Sequence, residues 1–96
     1  MNDQELHQQK LQAQLDEWKA DIDKLKAKAA SSSADAQLDL NSLVDQLNAK
    51  VQVASTKLAE LSNAGADAWD SVKGGVESAW DSLKTSMHEA VAKFKD

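Results

Sequence analysis

The sequence has no cysteine, no proline, no tyrosine and no arginine, and only three glycines among its 96 residues. Each absence excludes something. Without cysteine there is no disulfide framework, no thiolate metal site and no cysteine nucleophile. Without proline, no backbone N–H is missing anywhere in the chain to break a helix. The formal charge is −5, with 16 acidic residues against 11 lysines, so the basic stripe that a nucleic-acid partner needs is lacking. No stretch approaches the roughly 20 apolar residues of a membrane span. The first residues, MNDQELHQQK, show no basic region followed by an apolar run, so no secretory signal is read and a cytoplasmic address is expected. Apolar alternation at period two is absent over any useful length, which removes strands.

What is present is apolar periodicity at helical spacing, on a chain with sixteen alanines and eleven leucines. At this length it forms one small domain, or one element of a larger assembly. The first third carries Leu11, Leu15, Trp18, Ile22, Leu25 and Ala29, alternating steps of four and three residues. That is the narrow a/d seam of a coiled coil, and it is the candidate surface for self-association. The middle third repeats it with Leu40, Val44, Leu47, Val51, Ala54, Leu58 and Leu61. Its register is offset by one residue, as happens at a local unwinding of a continuous helix or at a break. Ser31-Ser32-Ser33 precedes the offset, and Ser32 with Asp35 three residues on has the form of an N-cap.

Two architectures follow. In one, segments 4–31 and 34–63 are a single long helix that turns back at Gly65, an all-α coiled-coil hairpin. In the other, Ser31–Ser33 is a turn and the chain is a three-helix bundle. The absence of Gly or Pro at the serines and the narrow first stripe favour the hairpin, which leaves Leu11–Ala29 free for a partner. The near-equal length of the three segments favours the bundle. At the second boundary, residues 63–67, Gly65 suits the left-handed position after a helix and Asp67 suits the N-cap of the next.

The last segment, 67–94, changes period. Ala68-Trp69-Asp70-Ser71-Val72-Lys73 recurs eleven residues later as Ala79-Trp80-Asp81-Ser82-Leu83-Lys84. A helix of eleven-residue period stays nearly straight or supercoils slightly right-handed. Its stripe is Trp69, Val72, Val76, Trp80, Leu83, Met87, Val91 and Phe94, either core or a lipid-facing surface with Lys73 snorkelling at its flank. Acidic excess opposes anionic lipid. Gly74-Gly75, inside this helix, suggests a kink, a close approach of another backbone, or simply a weak stretch.

Catalytic chemistry finds no foothold. His7 and His88 each lack a partner at a metal-binding spacing. The carboxylates are spread as a solvated face, and the serines have no base-and-orienter set. Lys73-Gly74-Gly75 lacks the strand and spacing of a phosphate loop. The expectation is a non-enzyme with no cofactor, no metal and no small-molecule substrate.

Several pieces together resemble a family of small bacterial coiled-coil proteins, typified by a cyanobacterial stress-response protein. They are Leu15-Asp16-Glu17-Trp18, Ile22-Asp23-Lys24-Leu25-Lys26-Ala27-Lys28-Ala29, Ala34-Asp35-Ala36, Lys57-Leu58-Ala59-Glu60-Leu61, Ala64-Gly65-Ala66-Asp67-Ala68-Trp69 and Gly75-Val76-Glu77-Ser78-Ala79-Trp80-Asp81-Ser82-Leu83-Lys84. The resemblance runs from about residue 11 to residue 94, and the Trp-bearing tail is its most specific part. It implies a cytoplasmic, all-α, non-catalytic protein linked to stress adaptation, and supplies no catalytic or cofactor residues. The expected partners are a second copy or another helix. The alternative is an amphipathic-helix protein that coats lipid surfaces or exposed clients.

Overall fold

The computed structural model describes residues 3–93, all but a few of them helical. The helices are α1 (Asp3–Ala30), α2 (Ala34–Asn63) and α3 (Ala66–Lys93). They pack side by side into a rod of 51 × 21 × 18 Å. The two short connections reverse the chain each time. Gln8 near the start of α1 therefore meets Ser62 near the end of α2, and α3 runs parallel to α1. The all-α reading holds. The long helix over 4–63 does not form: it is broken at the serines, and the chain folds back there as well as at Gly65.

Local chemistry explains the first break. Ser31 and Ser32 turn their hydroxyls back onto the Lys28 carbonyl, and their N–H groups reach Lys28 and Ala29 in a tightened last turn. Serine hydroxyls compete in this way with helical backbone bonds. Ser33 then leaves the helix with φ −61° and ψ 162°, and its Oγ accepts from the Ala36 N–H at 3.4 Å. The N-cap is thus Ser33 and not Ser32, with Asp35 in the first turn of α2 where the helix dipole favours acid.

The second turn also differs from the expected one. Ala64 closes α2 in an extended conformation, its N–H bonded to the Leu61 carbonyl. Gly65 has no positive φ; its carbonyl accepts from the N–H groups of Ala68 and Trp69 and so opens α3 as the N-cap. Asp67 falls inside the first turn rather than at the cap, where its charge still favours the helix.

The core is the three stripes closed on one another. Leu11, Leu15, Trp18, Ile22, Leu25 and Ala29 are all buried, as are Leu40, Val44, Leu47, Val51, Ala54, Leu58 and Leu61. The first stripe, expected to await a partner, is covered by the chain's own helices, because the break at the serines brings α2 and α3 back over it. No polar or charged residue is buried among the described residues.

In α3 the buried set is Trp69, Val76, Trp80, Leu83, Met87 and Ala90. Val72 is only half-buried, and Val91 is 48% exposed whereas Ala90 is 1% exposed. The packed face thus follows four-three steps to its end, matching the other two helices, and not the eleven-residue repeat that points to Val91. Phe94 lies outside the described residues. The helix passes through Gly74-Gly75, and a Cβ built on either glycine meets nothing within 4 Å, so no neighbouring backbone requires them.

Candidate functional site: the aromatic seam between α1 and α3

Helix α2 approaches both other helices closely, whereas the backbones of α1 and α3 stand further apart. Large rings span that wider seam. Trp18 of α1 and Trp80 of α3 lie with centroids 6.3 Å apart and planes tilted by 47°. His7 and Trp69 lie edge to face, 6.5 Å apart. Eleven residues separate His7 from Trp18, and eleven separate Trp69 from Trp80. Eleven residues are close to three full helical turns, so the ring pairs sit one above the other on parallel helices, about 16 Å apart along the axis.

The seam is apolar with two polar exceptions. The indole Nε1 of Trp80 and the Nε2 of His7 are buried atoms without hydrogen-bond partners. At the end of the seam near the α3 C-terminus lies an open cleft lined by Trp18, Asp21, Met87, His88, Val91 and Ala92. The two histidines therefore stand at opposite ends of the rod. Among the described residues no group of three or more His, Cys, Asp or Glu side chains is placed to hold a metal ion.

The other seams are tied by polar groups. Lys50, half-buried on α2, donates to Ser82 Oγ at 3.1 Å and Ser86 Oγ at 2.5 Å on α3. Ser62 donates to Gln8 Oε1 at 3.0 Å, joining α2 to α1. On the surface, Lys73 and Glu77 approach to 3.8 Å across the glycine pair. The large exposed apolar residues, Leu6, Leu38, Val53 and Val91, are scattered along the rod and do not form a stripe.

The structure brings the two expected stripes, Leu11–Ala29 and Trp69–Met87, into one interior. Sequence reading gives His7 no partner; its signal is the eleven-residue spacing to Trp18, which mirrors that of the two tryptophans on α3. It also misses Lys50, Ser82 and Ser86. Their signal is weaker: two serines one turn apart beside the stripe, and a lysine next to Val51 in an amide-rich segment.

No described helix is long and apolar enough to cross a membrane. Comparison with family models, with curated proteins and with solved structures gives no match.

Proposed function

We propose that the chain is a non-catalytic, stress-associated structural or interaction protein that works through coiled-coil-like helix–helix contacts. One observation carries this reading. The interior is built from three stripes of the same four-three spacing, so each seam, filled in the single chain by its own neighbours, is one that a helix of the same spacing can fill by exchange. The link to stress comes from the family resemblance of the sequence, and with it the cytoplasmic address. The test is to follow the chain's abundance and its cross-linked mass in its own cells under osmotic and heat stress. Rising abundance with helix-mediated adducts is the expected result. Flat abundance with no adduct under either stress overturns the reading.

A second reading, attachment of α3 to a lipid surface, is favoured by one observation. Gly74-Gly75 serves no packing purpose and weakens the helix that carries Trp69 and Trp80. Addition of zwitterionic vesicles then shifts the Trp emission and raises helix content. Unchanged spectra at saturating lipid exclude it.

A further inference from the structure

We propose that two copies of this chain exchange α1, the Ser31–Ser33 turn straightening so that α1 and α2 become one continuous helix. This rests on the helix-contact reading above and names the partner as a second copy.

The turn is built from residues that a helix accepts. It holds no Gly and no Pro, and no described residue has a positive φ. Ser31 and Ser32 still wind back onto Lys28 and Ala29 through their N–H groups. Ser33 has a helical φ of −61°, and its departure from the helix lies in ψ. The bonds that hold the bend have helical replacements. The Lys28 carbonyl, now taken by two serine hydroxyls, would accept from the Ser32 N–H. The Ala30 carbonyl, now reached by Gln37 Nε2 at 3.4 Å, would accept from the Ala34 N–H.

The stripe also survives straightening. Ala29, Ser32, Ala36 and Leu40 follow in steps of three, four and four, eleven residues in all. An eleven-residue insert keeps an apolar face on one side of a helix while locally relaxing the supercoil. Ser32 and Ala36 are already half-buried, facing inward on both sides of the bend. A straight helix over residues 3–63, about 90 Å long, therefore carries an unbroken face from Leu11 to Leu61. The seat that α1 vacates against Trp69 and Trp80 fits α1 of a second copy residue for residue. Such an exchange preserves every seam contact and alters only the hinge.

The experiment refolds the full chain from denaturant at low and at high concentration and reads mass by light scattering and length by X-ray scattering. Three chains are compared: the natural one, Ala34→Pro, and the triple variant S31A/S32A/S33A. Ala34→Pro suits the bent form, since residue 34 opens α2 and Ser33 before it is extended. In a straight helix the same proline loses a bond and meets the Ala30 carbonyl. Circular dichroism checks that it stays folded. The natural chain is expected to give a fraction of two-chain particles near 90 Å long at high concentration. The triple variant should raise dimer affinity at least ~10-fold, because helix propensity and the lost cap act at both hinges. Ala34→Pro should remain at single-chain mass. A dimer formed equally well by Ala34→Pro overturns exchange while leaving self-association standing. Single-chain mass for all three overturns exchange and leaves contact with a different helix, which the adduct experiment reads separately.

Discussion

Trp18 and Trp80 meet across the α1–α3 seam with centroids 6.3 Å apart, their rings bridging two helices whose backbones stand further from each other than either does from α2. Trp80 is 5% exposed. Trp80→Ala is expected to lower stability by about 3–5 kcal/mol, read from denaturant midpoints at constant slope. Trp80→Phe removes the unpartnered indole N–H along with some volume and should cost less, about 1–2 kcal/mol. A cycle with Trp18→Ala should show about 0.5–1.5 kcal/mol of coupling between the rings. A Trp80→Ala midpoint equal to that of the natural chain would contradict the packed seam.

The glycine pair provides a prediction of opposite sign. Nothing crowds a Cβ at Gly74 or Gly75. Gly74→Ala and Gly75→Ala should each stabilise the chain by about 0.5–1 kcal/mol, through helix propensity and a less flexible unfolded chain. In a domain of this size each corresponds to a rise of several degrees in Tm, roughly 4–8 °C per kcal/mol. A loss of stability on either substitution would mean that a neighbour needs the space.

The caps separate two adjacent serines. The Ser33 hydroxyl accepts from the first turn of α2, whereas the Ser32 hydroxyl donates back to the Lys28 carbonyl. Ser33→Ala should cost about 1 kcal/mol and Ser33→Gly a few tenths. Ser32→Ala should stay within about 0.5 kcal/mol. Equal effects at the two positions contradict the assignment of the cap.

The end of α3 distinguishes seven-residue from eleven-residue packing. Ala90→Asp places a charge in the interior and should cost more than about 3 kcal/mol. Val91→Asp, on the outside, should change stability by about 0.5 kcal/mol or less. Thermal melts of the two variants read the difference directly, and the reverse order would restore the eleven-residue face.

Much of this fold is legible in the sequence, since a buried stripe must repeat at the helical period wherever it occurs. All thirteen apolar positions named for α1 and α2 are buried. The last turn of α3 is less legible, because Ala90 carries little hydropathy signal and the Ala-Trp-Asp repeat draws attention to Val91. Whether the chain bends at Ser31–Ser33 is balanced in the sequence for a physical reason. No residue there forbids helix, and the bend is held by hydroxyl and amide side chains whose bonds a spacing argument does not count. His7 is not legible because its partner, Trp69, lies on another helix. Only the parallel course of α1 and α3, fixed by two reversals of the chain, brings the two together.

The central claim is that one chain covers its own Leu11–Ala29 stripe, and X-ray scattering from a dilute solution tests it most directly. A particle of single-chain mass with a radius of gyration close to the 15.4 Å of the Cα trace, slightly raised by side chains and hydration, is the predicted result. A particle of the same single-chain mass with a maximum dimension near 90 Å, the length of a continuous helix over residues 3–63, would contradict it.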